Sequence, residues 1–187
     1  MNKEKMVEGV KLILTGMGVN SEDENFKETP RRVANSFCEL LEGIGKESEV
    51  ETILKTYFPS TYSGIIAVSP VKVYSLCPHH LLPISYTIYF AYTPTKRVLG
   101  LSKIPRFIKL LARRPMLQEQ LTDDIVDFFD KYVKPEGSIC IIVGEHDCMK
   151  IRGTKCDGRM VTSSIRGDYF KHPDMKREAM KLLGVKL

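Results

Sequence analysis

Cysteine and histidine residues occur close together at two places in this chain. Cys77 and His80 lie three positions apart within the segment CPHH, and His146 and Cys148 form the second group. Alternate residues of a strand point to the same side, so a strand through His146 and Cys148 would project both side chains into one space. Thiolate and imidazole groups are typical zinc ligands, and a catalytic zinc usually has three protein ligands and one open position. The two groups therefore predict a Zn²⁺ site.

The two groups contain more potential ligands than one four-coordinate ion needs, because His79 adds a third histidine. A structural zinc site uses four ligands. A hydrolytic site needs three ligands, together with imidazoles that can transfer protons near neutral pH. The alternative interpretation is that the cysteines are buried thiols and the histidines are ordinary hydrogen-bonding residues. Two such groups in one short chain favour the catalytic interpretation.

A cluster of cations indicates a binding site for an anion. Ser102, Lys103 and Arg106 begin a predicted helix, and the two cations share one face because they are three positions apart. Free N–H groups at a helix N-terminus favour phosphate, especially beside a hydroxyl and cations. Arg152, four residues after Cys148, could bring another guanidinium near the metal. A solvated basic face is the alternative for Lys103 and Arg106.

Gln118 and Glu119 open the next predicted helix. A carboxylate at this position interacts favourably with the helix dipole, which is a sufficient structural reason for Glu119. The functional interpretation is that the carboxylate accepts two parallel hydrogen bonds from N1–H and the 2-amino group of guanine, and so distinguishes guanine from adenine. Spacing alone leaves both interpretations open.

The composition is that of one globular domain of ordinary size. The 187 residues are 43% hydrophobic and 27% charged, which excludes disordered, collagen-like and coiled-coil chains. No apolar run approaches the roughly 18 residues of a membrane span, and the N-terminus lacks the apolar stretch of a signal peptide, so we expect a cytoplasmic protein without a membrane partner. The net charge of +5 suits an anionic partner but not a dedicated nucleic-acid binder, and five cysteines in a reducing compartment predict free thiols.

The first 60 residues show helical hydrophobic spacing. A second helix is predicted from Thr29 and Pro30, because threonine can accept a hydrogen bond in the first turn and proline lacks an N–H where no partner is needed. Polar residues 46–51 and a loop at 59–64 separate this region from the rest of the chain. The apolar stripe predicted for the first helix consists of Met6, Val10, Ile13, Leu14 and Met17.

From residue 65 the hydrophobic period changes to two, which indicates strands. Two helices follow, starting near Ser102 and Leu117, and then predicted strands at 138–150 and 160–166 and a C-terminal helix within 173–187. This order predicts an α+β fold with an antiparallel sheet. The strand positions expected to share one face are Ile66, Val68, Val71, Val73, Ile84, Tyr86, Ile88, Phe90 and Tyr92.

Six motifs, in this order along the chain, resemble those of the GTP cyclohydrolase I family. The series is highly specific, unlike any one short motif, and it extends from about residue 28 to residue 170. The motifs are ETPRRVA (28–34), SLCPHHLLP (75–83), GLSKIPR (100–106), ARRPMLQEQLT (112–122), EHDCMKIRG (145–153) and TSSIRGDYF (162–170).

The resemblance implies a fold and an assembly. It implies an N-terminal helical region, residues 1–60, and a catalytic domain with the tunnelling fold (T-fold), residues 61–187, in which an antiparallel sheet carries two helices on one face. The T-fold sheets of several subunits would form a barrel, in a homodecamer of two pentamers with active sites between subunits. The implied reaction is the zinc-dependent conversion of GTP to 7,8-dihydroneopterin triphosphate and formate.

The resemblance also implies a role for each candidate residue. Cys77, His80 and Cys148 match the zinc ligands of the family. The matching catalytic residues are His79, His146 and Ser102. The matching substrate-binding residues are Ser102, Lys103, Arg106 and Arg152 for the ribose and triphosphate, and Gln118 and Glu119 for the guanine.

Two positions depart from the family pattern. Pro78 replaces a glutamate of the metal motif, and Tyr86 replaces a glycine in the next strand. Two alternative functions therefore stay open beside the implied reaction. One is a divergent T-fold enzyme that acts on another purine nucleotide or stops at the ring-opened formamide. The more distant one is a zinc-containing nucleic-acid-binding or regulatory module, against which the additional histidines and the Gln118-Glu119 pair argue.

Overall fold

The computed structural model describes residues 1–185, so the last two residues of the predicted domain 61–187 and of the predicted C-terminal helix lie outside the described part. Within that part the chain forms helices and antiparallel strands. In chain order they are α1 (Lys3–Gly16), α2 (Thr29–Leu40), α3 (Glu47–Leu54), β1 (Tyr57–Pro59), β2 (Ile66–Leu76), β3 (Pro83–Thr93), β4 (Arg97–Leu99), α4 (Lys103–Ala112), α5 (Gln118–Val133), β5 (Gly137–His146), α6 (Asp147–Lys150), β6 (Met160–Gly167), α7 (Asp168–Lys171) and α8 (Pro173–Leu183).

The main sheet has four strands in the order β2-β3-β5-β6, and every neighbouring pair is antiparallel. Strands β1 and β4 form a separate antiparallel pair. This arrangement confirms the predicted α+β fold with an antiparallel sheet. None of the helices in residues 1–185 combines the length and apolar character that a bilayer span requires.

A β-bulge in β2 explains why its apolar residues have even numbers before the bulge and odd numbers after it. Val68 pairs with Phe90 and Val71 pairs with Ile88, so three steps on β2 lie opposite two steps on β3. The additional residue returns the side chains after the bulge to the face used before it, and Pro70 lies within the bulge, where proline is tolerated. The bulge therefore keeps the predicted apolar face of β2 on one side of the sheet.

The principal core lies between that face of the sheet and helices α4 and α5. Aromatic rings occupy its centre, with Phe90 4.8 Å from Phe129 and 5.8 Å from Phe107 between ring centroids. All three rings are fully buried. Burial of such rings stabilises each by roughly 1.5–3 kcal/mol through the hydrophobic effect. This packing holds the N-termini of α4 and α5 at fixed places beside the sheet.

The opposite face of the sheet carries the C-terminal helices. Tyr89 and Ile141 on the strands pack with Tyr169 of α7 and Ala179 of α8 in a second cluster of buried residues. Strands β3 and β5 are consequently apolar on both faces, as the run of buried residues from Gly137 to Gly144 reflects. The sheet is therefore a layer between two groups of helices.

The N-terminal helices depart from the prediction in three ways. Ile13 in α1 and Met17 just after it are 61% and 68% exposed, because α1 packs mainly along α2 and buries only Val10 and Leu14. Thr29 is the first residue of α2 rather than its cap, and the cap residue makes no side-chain hydrogen bond there. Helix α3 overlaps the polar stretch 46–51 that was expected to separate two parts of the chain, and its two buried residues lie four positions apart on one face.

Candidate metal centre and substrate site

The segment between β2 and β3 is a tight turn that begins at Cys77. The Cys77 N–H donates to the Leu82 carbonyl at 2.8 Å, and the Leu81 N–H donates to the Cys77 carbonyl at 2.9 Å. Leu81 completes the turn with a φ of 52°. The strands on either side are paired up to Leu76 and Pro83, so the turn is anchored at both ends. It buries the Cys77 thiol and leaves the two histidines after Pro78 exposed.

Cys77, His80 and Cys148 offer ligand atoms that all lie within 4.8 Å of one another. The Cys77 Sγ and the His80 Nδ1 are 3.6 Å apart. Burial and the neighbouring Cys77 raise the pKa of the Cys148 thiol, while the positive charge of Arg152 acts in the opposite direction. Two sulfurs and one imidazole nitrogen match the donor set that zinc prefers, and three donors leave one position open. The residues present therefore fit a metal ion with a free coordination position.

The expected strand through His146 and Cys148 ends between them. Strand β5 stops at His146, and the next residue begins the single helical turn α6, which carries Cys148. The prediction of one strand through both residues was therefore wrong. The helical turn directs Cys148 to the metal ligands, while His146 contacts a different partner.

His146 is half-buried at the end of β5. Its Nε2 lies 3.0 Å from the Gln118 Oε1. The ring of Tyr86 approaches it edge-on, with 6.2 Å between centroids and an interplanar angle of 81°. Burial lowers the pKa of His146, whereas the Glu119 carboxylate acts to raise it. His79, in contrast, is exposed, and its ring centroid lies 6.1 Å from that of His80.

Tyr86 occupies the space beside His146 and is 1% exposed. Burial raises the pKa of its hydroxyl well above the usual range, and negative charge on Cys77, Glu119 and Cys148 adds to this effect. The phenol therefore stays neutral at physiological pH. The strand period placed Tyr86 on the apolar face and the family pattern marked it as a departure, but its contact with His146 cannot be read from strand spacing.

The two residues of the predicted guanine-binding pair have different surroundings. Gln118 is 1% exposed, and its amide nitrogen donates toward the carbonyls of Ile142 and Met160 and toward the Thr162 hydroxyl, each at 3.1 Å. Glu119 is exposed, and its charge acts on both His146 and Tyr86. The side-chain amide of Gln118 is thus engaged within the chain, whereas the Glu119 carboxylate is accessible to a ligand.

The predicted phosphate-binding residues lie at the start of α4. Ser102 is the residue before the helix, makes no capping hydrogen bond, and lines an open cavity of about 710 Å³ together with Pro70 and Val71 of β2. Lys103 is partly exposed. Arg106 is exposed and lines a second cavity, of about 300 Å³, with carboxylates that include Glu42. The cations therefore border open space.

The structure separates this cluster from the metal ligands within one chain. Ser102 lies beside Val71, whereas Cys77 is six positions further along the same extended segment, which corresponds to roughly 20 Å. Arg152 is different, because its charge acts on Cys148 from the exposed loop after α6. The described part of one chain thus brings Arg152, but not Ser102, close to the metal ligands.

The antiparallel α+β fold and the two-cysteine, one-histidine donor set define a protein with a candidate catalytic metal centre. The family model for GTP cyclohydrolase I matches residues 6–184. The chain belongs to the GTP cyclohydrolase I family and is therefore an enzyme.

The similarity to known proteins covers nearly the whole chain. "GTP cyclohydrolase 1" of Hydrogenobaculum sp. (strain Y04AAS1) is 40% identical over 98% of this chain and 98% of its own, and that of Aquifex aeolicus (strain VF5) is 38% identical over 98% and 97%. Among solved structures, the apo form of the archaeosine synthase QueF-Like overlaps 54% of this chain and 93% of its own, with a TM-score of 0.43 and 17% identity.

Proposed function

We propose that this chain converts GTP to 7,8-dihydroneopterin triphosphate and formate, with zinc held by Cys77, His80 and Cys148. The observation that carries the proposal is the cluster of three ligand atoms within 4.8 Å of one another in a chain that matches the family over residues 6–184. The soft donor set favours zinc over magnesium or calcium. When bound, zinc would act as a Lewis acid and make water a nucleophile at neutral pH.

Histidine residues of this chain would transfer the protons that the reaction requires. The first water adds to C8 of the purine, the C8–N9 bond breaks, and a formamide is left on N7. The second water cleaves this formamide and releases C8 as formate. Both departing nitrogens require protons, and His146 and His79 are the imidazoles available to supply them. The half-buried His146 is the better candidate for transfer at a defined atom, because its ring is held by hydrogen bonding.

Glu119 would recognise the guanine. Its carboxylate is exposed and lies near enough to His146 and Tyr86 to influence the pKa of both. A carboxylate can accept hydrogen bonds from N1–H and from the 2-amino group together, which adenine cannot donate. A guanine held there would present its imidazole ring toward His146. The buried and neutral phenol of Tyr86 would form an apolar wall of the same space.

A second subunit would complete the site. Ser102, which precedes the helix that carries Lys103 and Arg106, lies roughly 20 Å from Cys77 in one chain. This separation is too long for one GTP molecule to place C8 at the metal ligands and its phosphates at this cluster. We therefore propose a homo-oligomer in which this cluster binds the ribose and triphosphate at a neighbouring subunit's metal centre. The implied T-fold barrel, the decamer of two pentamers and the division into residues 1–60 and 61–187 belong to this proposal.

Incubation of the zinc-loaded protein with GTP tests the function directly. We expect equimolar formate and a product with pterin absorbance. Accumulation of a ring-opened formamide without formate would instead support the divergent enzyme that stops after the first hydrolysis. Turnover of another purine nucleotide but not GTP would contradict the assignment of Glu119 to guanine.

Arg152 should contribute mainly to GTP binding. Its removal in Arg152→Ala takes away a cation close to Cys148 and the substrate phosphates, and a charge-assisted hydrogen bond is worth about 1.5–3 kcal/mol. We therefore expect KM for GTP to rise about 10- to 100-fold with little change in kcat. Arg159→Ala, which removes an exposed cation of the same loop, is the matched control. An unchanged KM in Arg152→Ala would remove Arg152 from the binding site.

A further inference from the structure

The orientation of the Gln118 amide is determined by its partners. Its Nε2 lies 3.1 Å from two backbone carbonyls, those of Ile142 and Met160. A carbonyl oxygen only accepts hydrogen bonds, so the amide group must point its nitrogen toward them. The flipped orientation would bring the amide oxygen against two acceptors in a site that is 1% exposed. The oxygen and nitrogen of this side chain are therefore assigned by the hydrogen-bond network.

Two threonine hydroxyls reinforce this orientation. The Thr122 hydroxyl donates to the Gln118 carbonyl at 2.7 Å, so it accepts from the Thr162 hydroxyl, which is 2.6 Å away. Thr162 has then used its hydrogen, so its oxygen accepts from the Gln118 Nε2 at 3.1 Å, and the two amide hydrogens are shared among this oxygen and the two carbonyls. Helix α5 and strands β5 and β6 all contribute to this network, so it holds the amide from three sides.

The position of the Gln118 oxygen determines which His146 nitrogen carries hydrogen. The Gln118 Oε1 lies 3.0 Å from the His146 Nε2, and an amide oxygen can only accept. The His146 Nε2 must therefore donate. In the neutral imidazole the other nitrogen, Nδ1, then has no hydrogen and is the nitrogen available to a ligand.

Gly144 provides the space through which this hydrogen bond passes. A β-carbon at residue 144 would lie 2.1 Å from the Gln118 Oε1 and 3.1 Å from the His146 Nε2. The first distance is far inside van der Waals contact. Any side chain at this position would displace the amide or the imidazole, so the absence of a β-carbon is part of the same arrangement.

We propose that Gln118 is a positioning residue, which fixes the tautomer and orientation of His146 and does not contact the guanine through its side-chain amide. The proposal concerns an internal hydrogen bond, and its catalytic consequence rests on the function proposed above for His146. The Nε2–H tautomer leaves Nδ1 free to take a proton from the attacking water and to pass it to the departing nitrogen of the substrate. Loss of the Gln118 oxygen would let the ring rotate or adopt the other tautomer, and would impair proton transfer without removing a substrate contact.

Nitrogen-15 solid-state NMR of the zinc-loaded, histidine-labelled protein tests the internal arrangement without any assay of turnover. The chain has four histidines, and a His146→Asn sample identifies the signals of residue 146. We expect neutral His146 to carry its hydrogen on Nε2. A hydrogen on Nδ1 would overturn the proposal. Because no GTP is added, this outcome is independent of whether the proposed reaction is correct.

Kinetics of Gln118→Met test the catalytic consequence, because methionine has similar length but no hydrogen-bonding amide. We expect kcat to fall about 10²- to 10⁴-fold, the range of general acid–base catalysis, with KM for GTP within about twofold of the parent. Gln120→Met, at an exposed position of the same helix, is the matched control and should keep both constants. A raised KM at parental kcat would instead identify Gln118 as a guanine contact and overturn the proposal. If Gln118→Met does not fold, the NMR measurement on the parent protein decides.

Discussion

Cys148→Ser should lose its bound zinc and its GTP turnover together. Cys148 supplies one of only three ligand atoms that lie within 4.8 Å of one another in the described part of the chain. A serine hydroxyl is a far weaker zinc ligand than a thiolate, and two remaining donors cannot hold the ion tightly. We expect less than about one tenth of a zinc per subunit after dialysis and a fall in kcat of at least about 10³-fold. Metal analysis and formate release measure the two effects.

The matched control for this substitution is Cys156→Ser. Cys156 is exposed, lies in the loop after α6, and is outside the three-residue cluster. We expect this variant to keep one zinc per subunit and parental turnover. A Cys148→Ser protein that retains one tightly bound zinc per subunit would contradict the three-ligand centre, and His146 would then be the next ligand to examine.

His146→Ala should stop the chemistry while it leaves zinc and GTP binding in place. The half-buried imidazole is the proton-transfer group that the chain orients through Gln118 and packs against Tyr86. Removal of a positioned general acid–base group costs about 10²–10⁴ in rate. We therefore expect kcat to fall by that factor, with zinc content unchanged and KM within about threefold. Rapid-quench measurement of formamide and formate would show which hydrolytic step has slowed.

His172→Ala serves as the control for the loss of an imidazole. His172 is exposed and precedes α8, away from the metal ligands in the fold. It should keep parental kcat and KM. His146→Ala protein that turns over GTP at the parental rate would show that another group, such as His79, transfers the protons.

Elements with strong apolar periodicity were predictable from the sequence, and weakly apolar ones were not. Helices α4 and α5 were expected near Ser102 and Leu117, and they begin at Lys103 and Gln118. Both were predictable because one face of each is buried and therefore apolar. Helix α3 was not predicted as a separate helix, since its two buried residues stand among charged ones. A period needs more than two apolar members to be recognised above the polar background.

The candidate site was also predictable only in part from the sequence. Residue types identified Cys77, His80 and Cys148 as possible metal ligands, because soft donors in two short motifs are chemically distinctive. The structure altered the reason for grouping them, since Cys148 reaches the cluster from a helical turn and not from a strand. It also separated the roles of the guanine pair, by burying Gln118 and leaving Glu119 exposed.

The sequence by itself determined the class of fold, the family motifs and the chemical character of the site, because these depend on residue type and local spacing. Only the tertiary structure decided which atoms meet. The Gln118 amide bonds to residues 24, 42 and 44 positions away, and its oxygen meets His146, 28 positions away. Contacts at such separations arise from the packing of α5 on β5 and β6, and no helical or strand period encodes them.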